Sequence, residues 1–237
     1  MNCTMSERFH LNTPLLESVS MSKQLGTTVY LKMENSQPSG SFKIRGIGHF
    51  CQQVGELSNV SGTPISCGNA GMAAAFVARK MGLPATVVVP SSTSQLVVRR
   101  LQDQGATVRI VGKVNSFFPQ ASRLLCNRLK MFEVFQEHHR NSRWQPFQNT
   151  IHRPGRAEGH ASLIVEAAAS LGPGVKPGAV LLSVGGGGLL CGVIHGLKDV
   201  GWMDVPIIAV ETVGADCFNA AIKAGKVVTL VDITRLV

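Results

Sequence analysis

Short apolar runs alternate with helical patterns along most of the chain. The apolar runs lie at residues 28–33, 85–90, 106–112, 179–184 and 205–211. The helical patterns lie from about Phe42, at 97–101, at 160–171, after the glycines 185–188, and at 218–225. Strands that are apolar throughout and separated by helices are typical of parallel sheets covered on both faces. The pattern therefore predicts an α/β fold.

Two stretches interrupt this alternation. Residues 54–65 are polar and turn-like, and Pro64 stands where a strand would otherwise be expected. Residues 114–157 mix Phe, Arg and His with weak periodicity. The second stretch predicts only one element, a helix from about Gln120 to Glu137.

An uncharged run, residues 177–197, is long enough to span a bilayer and raises a membrane interpretation. Four consecutive glycines, 185–188, interrupt the run. A short apolar strand, a glycine turn and a buried helix explain the same letters. We therefore expect no membrane partner.

The cysteines indicate the cellular compartment. They are Cys3, Cys51, Cys67, Cys126, Cys191 and Cys217. None of them forms a CxxC or CxxH spacing, and residues 1–10 lack the apolar stretch of a signal peptide. A disulfide or zinc framework is therefore not expected, and the sequence predicts a reduced, cytoplasmic protein. Its 237 residues allow one large or two small domains.

The net charge of +9 raises nucleic acid as a possible partner. The charge is concentrated, because nine lysines and arginines lie between Arg109 and Arg156 against only two glutamates in the same stretch, Glu133 and Glu137. No recognised nucleic-acid motif accompanies them, and only Trp144 and several phenylalanines could stack on bases. We therefore expect no nucleic-acid partner.

The stretch QPSGSFKIRG, residues 37–46, places Lys43 directly after a tight turn. Ser41 is the predicted N-cap, so that Lys43 would occupy the first turn of a helix. The positive end of the helix dipole disfavours an ammonium there by about 0.3–1 kcal/mol and favours the neutral amine that a Schiff base needs. The alternative is a surface lysine at an ordinary helix start.

The stretch SVGGGGLLCG, residues 183–192, runs from an apolar strand through four glycines into a helix. Backbone N–H groups of such a turn can converge on a phosphate. The dinucleotide fingerprint is absent, because no glycine stands at the third position whether GxGxxG begins at Gly185 or Gly186. A nicotinamide dehydrogenase with Glu211 on a ribose is therefore disfavoured. A glycine turn without a ligand is the other alternative.

A third stretch, SCGNAGMAAA at residues 66–75, places small residues and Asn69 before an Ala-rich helix. Its backbone donors could hold a carboxylate, and Asn69 could hydrogen-bond a ring hydroxyl. The alternative is an asparagine in an ordinary turn. An imine-forming lysine, an anion-binding turn and a phosphate cradle are together what pyridoxal phosphate requires of a protein.

The sequence resembles the serine and threonine dehydratase branch of the pyridoxal-phosphate enzymes, which have the tryptophan synthase β fold type. The resemblance covers about residues 9–53, 66–113 and 158–237. Its motifs are TPLLES, LKMENSQPSGSFKIRGIGHFCQ, GNAGMAAA, LPATVVVP, EGHAS, LSVGGGGLLCGV and VPIIAVET.

The resemblance implies an α/β fold of type II, with two parallel-sheet three-layer domains. The large, cofactor-binding domain would comprise residues 1–42 and 140–237, and the small domain residues 43–139. Family members continue well past Val237, so the large domain is expected to be incomplete here. A homodimer is expected if the fold is completed.

The resemblance also implies the roles of individual residues. Lys43 matches the lysine that bonds to the cofactor aldehyde and acts as a catalytic base. Phe42 matches the aromatic residue beside the cofactor ring, and Asn69 the residue that bonds the ring hydroxyl. The phosphate loop is matched by Gly185, Gly186, Gly187, Gly188 and Leu189. The substrate-carboxylate loop is matched by Ser66, Cys67, Gly68, Ala70 and Gly71.

Three further expectations follow from the same resemblance. Ser66 is a second catalytic candidate, whereas Cys67 stands where relatives carry a small residue. Glu211 and Ala215 match positions that help to hold a monovalent or divalent cation. The implied reaction is a β-elimination that converts L-serine to pyruvate and ammonia, and L-threonine to 2-oxobutyrate.

The chain departs from the family in two places. The basic stretch 114–157 echoes the family only at Pro146 and Phe147. The region expected beyond Val237 would complete the large-domain sheet and supply the neutral residue that faces the pyridine nitrogen. Little or no dehydratase activity is therefore expected of this chain. The alternative function is a truncated paralogue, splice product or pseudogene product that binds pyridoxal phosphate, or a full-length relative, without turnover.

Overall fold

The computed structural model describes residues 8–55, 68–89, 91, 93–110, 154–226 and 228. Strands and helices alternate along most of the described chain, as the sequence predicts. The strands are β1 (Leu15–Glu17), β2 (Tyr30–Lys32), β3 (Thr86–Val89), β4 (Thr107–Ile110), β5 (Val180–Ser183) and β6 (Ile207–Val210). The helices are α1 (Val19–Leu25), α2 (Lys43–Gly55), α3 (Asn69–Lys80), α4 (Gln95–Asp103), α5 (Pro154–Leu171), α6 (Gly188–Asp199) and α7 (Cys217–Ala224). A 3₁₀ turn, Glu34–Ser36, follows β2.

Two strand pairs are parallel. Strand β3 pairs with β4, with Val87 opposite Val108, and strand β5 pairs with β6, with Leu182 opposite Ala209. Helix α4 connects the first pair and helix α6 the second, so each pair is a strand–helix–strand unit. The predicted α/β class with parallel sheets is thus confirmed.

Strand β2 is the exception, since it pairs antiparallel with β1 and places Leu16 opposite Leu31. The sequence predicted a strand at 28–33 but neither β1 nor α1. Leu16, Tyr30 and Leu31 are all exposed, so this pair is not covered on both faces. The two parallel pairs are also open on one side, since Ile110, Leu181 and Ile208 are exposed.

The boundaries of two helices differ from those predicted. Helix α5 begins at Pro154 rather than near His160. Proline is favoured at the first helical position because the N–H group that it lacks would have no helical partner there. Helix α2 continues to Gly55, into the stretch 54–65 that was predicted as turn-like. The rest of that stretch and the helix predicted at 120–137 lie outside the described residues.

Three apolar clusters form the core of the described residues. The first packs α5 and α6 against β5 and contains Leu163, Ile164, Leu182, Val184, Leu190, Val193, Leu197, Trp202 and Val205. The second joins α2 to α3 and contains Ile44, Ile47, Ala73, Ala74, Phe76 and Val77. The third joins α3 and α4 to the β3–β4 pair and contains Ala75, Val87, Val89, Val98, Leu101 and Ala106. Helix α3 thus links two clusters, whereas the domain division at residues 42 and 140 stays a prediction.

The uncharged run 177–197 folds as strand β5, a glycine turn and most of helix α6, as the sequence favoured. Its apolar residues Leu182, Val184 and Val193 belong to the first core cluster. Among the residues that the structure describes, no helix is long and apolar enough to cross a membrane.

Helix α5 lies between α2 and α6, and glycines allow both close approaches. A Cβ on Gly159 would lie 2.8 Å from the Cα atom of Gly46, in the backbone of α2. A Cβ on Gly192 would collide with the Cβ atom of His160, and one on Gly196 would lie 2.7 Å from the Ala161 carbonyl oxygen. Because backbone atoms cannot move aside as a flexible side chain can, the spacing of these three helices depends on glycine.

Substitution of Gly159 tests this packing. We expect Gly159→Ala to lower the free energy of unfolding by about 1–3 kcal/mol, because the added methyl group overpacks the α2–α5 contact. Urea unfolding measures the change. Gly178→Ala is the control, because no described atom lies within 4 Å of its Cβ position. Equal stability of the two variants would contradict the packing account.

Candidate functional site

Helix α2 begins at Lys43, so the lysine stands in the first turn as the sequence predicted. The predicted cap is wrong, because the buried Ser41 hydroxyl has no hydrogen-bond partner among the described residues. The first turn is closed by the backbone instead, where the Arg45 N–H donates to the Phe42 carbonyl oxygen over 3.0 Å. Phe42 therefore lies directly before the first residue of the helix, Lys43.

Two other helices begin at the predicted motifs. Helix α6 begins at Gly188 after Gly187, whose φ of 81° is in the left-handed region that favours glycine. Helix α3 begins at Asn69 after Gly68, whose φ is 75°. Among the described residues neither helix has a side-chain cap, so the first N–H groups of each are available to an anion.

The ring of His160 connects the Phe42 side chain with the glycine turn. It meets the Phe42 ring edge-on, with 5.1 Å between the ring centroids. Its Nε2 atom lies 4.0 Å from the position that a Cβ atom on Gly188 would occupy. The structure thus brings the aromatic residue beside Lys43 within one side chain of the predicted phosphate loop.

Arg45, two residues after Lys43, is completely buried between two carboxylates. Its Nε and Nη2 atoms donate to Glu34 over 2.7 Å each. Its Nη1 and Nη2 atoms donate to Glu166 over 2.6 and 2.7 Å. Ser162 and Thr13 accept further bonds from the guanidinium, at 3.0 and 3.3 Å. The guanidinium therefore links the 3₁₀ turn, α2 and α5.

Lys32 adds a second cation to this cluster. The two cations, Arg45 and Lys32, balance the charges of the two carboxylates, Glu34 and Glu166. Its Nζ atom lies 2.6 Å from Glu166 Oε2 and 2.5 Å from the Thr13 carbonyl oxygen. Burial raises the pKa values of Glu34 and Glu166, but the hydrogen bonds from Arg45 and other donors outweigh it and lower both pKa values overall. Burial also works against the Arg45 charge, whereas its carboxylate partners raise the pKa of the guanidinium. Glu34, Glu166 and Arg45 are therefore charged at neutral pH.

His10 is the neutral neighbour of this cluster. Its Nε2 atom is 3.8 Å from Glu166 Oε1 and has no hydrogen-bond partner among the described residues. Burial, and next the charge of Arg45, lower the pKa of His10 from 6.5 to about 4. The charge of Arg8 acts in the same direction, whereas Glu166 and Glu34 oppose it.

The predicted cation ligands lie at the start of helix α7. The Glu211 carboxylate accepts N–H bonds from Phe218 at 3.0 Å and from Asn219 at 2.8 Å. The Ala215 N–H donates to the Thr212 carbonyl oxygen at 2.9 Å. No group of three or more His, Cys, Asp and Glu residues suited to a metal ion is found in the described part of the chain. The cation site stays a prediction.

The remaining predicted residues fall into two groups. Ser66 and Cys67 lie outside the described residues, so their roles stay predictions. Ala70 and Gly71 occupy the first turn of α3, and Leu189 that of α6. Sequence reasoning missed the Arg45 cluster and His160, although EGHAS, which contains His160, was among the motifs of the resemblance.

These features agree with a family match that extends over nearly the whole chain. Residues 7–237 match the family described as "pyridoxal-phosphate dependent enzyme". The chain belongs to this family of pyridoxal-phosphate dependent enzymes.

Within this family, the chain is similar in sequence to curated dehydratases and dehydratase-like proteins. The chain is 49% identical over 233 residues to the L-serine dehydratase/L-threonine deaminase of Mus musculus, covering 97% of this chain and 66% of the relative. It is 52% identical over 230 residues to the serine dehydratase-like protein of Homo sapiens, covering 97% of this chain and 65% of the relative. The chain thus spans about two thirds of the length of these relatives.

Solved structures show the same fold. A fungal L-serine ammonia-lyase from Rhizomucor miehei superposes with a TM-score of 0.79 at 32% identity, covering 97% of this chain and 69% of the other. The processed form of threonine deaminase isoform 2 from Solanum lycopersicum gives 0.72 at 26% identity, covering 95% and 58%. The expected fold type II of pyridoxal-phosphate enzymes is therefore confirmed.

Removal of the central guanidinium tests the buried cluster. Arg45→Met should lower the free energy of unfolding by about 3–5 kcal/mol, because Glu34 and Glu166 would keep their charges without their main partner. Urea unfolding gives the difference. Lys176→Met breaks the exposed ion pair with Asp204 and should lower the free energy of unfolding far less than Arg45→Met does, because solvent screens exposed charges. A small loss in Arg45→Met would contradict the assigned role.

The lowered pKa of His10 predicts that the free energy of unfolding depends on pH. Its folded pKa of about 4 lies below its unfolded value, so the unfolded chain binds the proton more readily. Stability is fully present above about pH 6.5 and should fall by about 1–2 kcal/mol on going to about pH 5. Unfolding curves at the two pH values measure this loss.

His10→Asn should remove that loss, because asparagine does not titrate. His195→Asn is the control, since His195 is exposed and remote in sequence, and this variant should keep the loss. An identical pH dependence in His10→Asn and in the unchanged chain would assign the effect to other groups.

Proposed function

We propose that the chain binds pyridoxal phosphate at the beginnings of α2, α3 and α6, and that it eliminates water and ammonia from L-serine and L-threonine. The observation that carries this proposal is that the three helices begin at Lys43, Asn69 and Gly188, where the sequence places its three candidate motifs. The curated relatives with these activities in their names support the choice of substrates.

The glycine turn fits the cofactor phosphate. Gly185 and Gly186 are exposed, and no described atom lies within 4 Å of the Cβ position of Gly185. An anion could therefore approach the backbone closely. The first N–H groups of α6 have no helical acceptor, and the helix dipole favours negative charge at this end.

Residues at the starts of α2 and α3 would contact the cofactor ring and the substrate. Lys43 would bond to the aldehyde of the cofactor, and Phe42 would flank its ring. Asn69 would donate to the ring hydroxyl from the first turn of α3. The first N–H groups of α3, which follow Gly68, suit the substrate carboxylate, with Ala70 and Gly71 in the same turn and Ser66 and Cys67 before it in the sequence.

Lys43 would also move the proton. Pyridoxal phosphate, when bound, supplies an electron sink for the charge left at the substrate Cα atom. After the substrate amino group has replaced Lys43 at the cofactor aldehyde, the freed Lys43 Nζ atom would take the α-proton, which requires the neutral amine. The helix dipole at the start of α2 favours that form. Loss of the β-hydroxyl group and hydrolysis would then yield pyruvate and ammonia from L-serine, and 2-oxobutyrate and ammonia from L-threonine.

The proposal includes the finer expectations from the sequence. A homodimer, a cytoplasmic location and a cation held by Glu211 and Ala215 belong to it as predictions. Binding of pyridoxal phosphate without turnover is the second candidate function. It is the alternative that the sequence left open, together with the expectation of little or no dehydratase activity.

Covalent mapping tests the assignment of Lys43. Borohydride treatment of the chain with pyridoxal phosphate should fix the pyridoxyl group on the peptide that contains Lys43, because reduction makes the bond to the lysine permanent. Lys43→Ala should remove this label, and Lys176→Ala, which changes an exposed lysine outside the site, should leave Lys43 labelled. A label on another lysine would refute the assignment.

The same preparation separates the two candidate functions. Pyruvate released from L-serine, and 2-oxobutyrate from L-threonine, would support the dehydratase. A chain labelled on Lys43 that releases neither product would favour binding without turnover and contradict the proposed reaction.

Substitution in the glycine turn tests the phosphate site. Gly185→Val should weaken binding of pyridoxal phosphate by about tenfold or more, because the side chain blocks the charge-assisted N–H bonds to the phosphate. Stability should change little, because the Cβ position of Gly185 is open. Spectroscopic titration and thermal unfolding measure the two effects.

Gly178→Val is the matched control, since Gly178 also has an open Cβ position and lies outside the turn. It should bind pyridoxal phosphate as the unchanged chain does. Unaltered affinity in Gly185→Val would show that the turn has only a structural role.

A further inference from the structure

His160 lies in helix α5 and is buried between Phe42, which precedes α2, and the start of helix α6. Its exposed fraction is 5%. Its ring meets the Phe42 ring at an interplanar angle of 65° and a centroid distance of 5.1 Å. The same ring approaches the first residue of α6, with Nε2 4.0 Å from the Cβ position of Gly188. One side chain therefore contacts the residue before Lys43 and reaches the end of the glycine turn.

The backbone of His160 is fixed against α6 as well. The Cα atom of Gly192 faces it so closely that an added Cβ would collide with the His160 Cβ atom and lie 3.1 Å from the Ala157 carbonyl oxygen. The ring thus starts from a point with little freedom relative to α6. The position of the Phe42 ring, which packs against the imidazole, therefore depends on the position of helix α6.

We propose that His160 is a positioning residue, which sets the orientation of the Phe42 ring relative to the glycine turn. Edge-to-face contacts between aromatic rings are directional, so the imidazole restricts the orientations open to Phe42. Phe42 would in turn flank the ring of a cofactor held between Lys43 and the glycine turn. This inference rests on the proposed function, because it concerns how that site orients pyridoxal phosphate.

Two substitutions at position 160 separate the ring from its nitrogen atoms. His160→Phe keeps an aromatic edge without a hydrogen-bond donor, whereas His160→Gln keeps a donor without a ring. Neither changes the Cβ atom that Gly192 contacts. Thermal unfolding confirms that each variant is folded at the temperature of measurement.

Titration with pyridoxal phosphate, followed by the circular dichroism that the bound cofactor acquires, measures affinity and orientation together. His160→Gln should weaken binding by about three- to tenfold and reduce the dichroism per bound cofactor, because the edge-to-face contact is lost. His160→Phe should bind within about twofold of the unchanged chain. A change in orientation of the bound ring is not expected from a residue that only stabilises the fold.

A double-mutant cycle with Phe42→Leu tests whether His160 acts through Phe42. In that background His160→Gln should cause no further loss of affinity. Titration with inorganic phosphate provides a second probe, and His160→Gln should bind it as the unchanged chain does.

Several results would overturn the inference. One is that His160→Gln weakens binding as much in the Phe42→Leu background as in the unchanged chain. Another is that His160→Gln keeps the affinity for pyridoxal phosphate whereas His160→Phe loses it. Unchanged dichroism of the bound cofactor, or loss of inorganic phosphate binding, in His160→Gln would also contradict the inference. A chain without substitutions that binds no pyridoxal phosphate would overturn the proposed function, and this inference with it.

Discussion

The buried guanidinium of Arg45 is the constraint on which the geometry of the site depends. It holds Glu34 from the 3₁₀ turn and Glu166 from α5 in two bidentate pairs, and Lys32 completes the charge balance. A buried charge with a missing partner is costly, so these contacts are strongly coupled. Because Arg45 follows Lys43 by two residues in the same helix, the cluster also fixes where the α2 helix starts relative to α5.

Helix α5, which contains Glu166, also packs against helix α6 and so relates the start of α2 to the glycine turn. Gly159 allows it to meet the backbone of α2, and Gly192 and Gly196 allow it to meet α6. The start of α6 is the glycine turn, so the lysine and the predicted phosphate loop are spaced by backbone contacts rather than by flexible side chains. His160 lies in the same helix and contacts Phe42. The described part of the chain therefore contains a connected frame for the residues that we propose to bind the cofactor.

Local features of the sequence predicted the three helix starts, because glycines, small residues and apolar runs determine where a strand ends and a helix begins. The strand–turn–helix around Gly187 and the position of Lys43 were predicted in this way. The cluster of Arg45 with Glu166 was not predicted, because the two residues are 121 positions apart in the sequence and charged residues usually lie on the solvated surface. Strand β1 was also missed, since its short exposed run lacks the fully apolar pattern of the other strands.

The central claim is that the starts of α2 and α6 form one site that holds both the aldehyde and the phosphate of the cofactor. Titration of the chain with pyridoxal phosphate and with pyridoxal, followed by visible absorption, tests it most directly. The account predicts a saturable band with pyridoxal phosphate, much weaker binding of pyridoxal, and no such band in Lys43→Ala. Equal affinity for the two compounds, or a band that persists in Lys43→Ala, would contradict it.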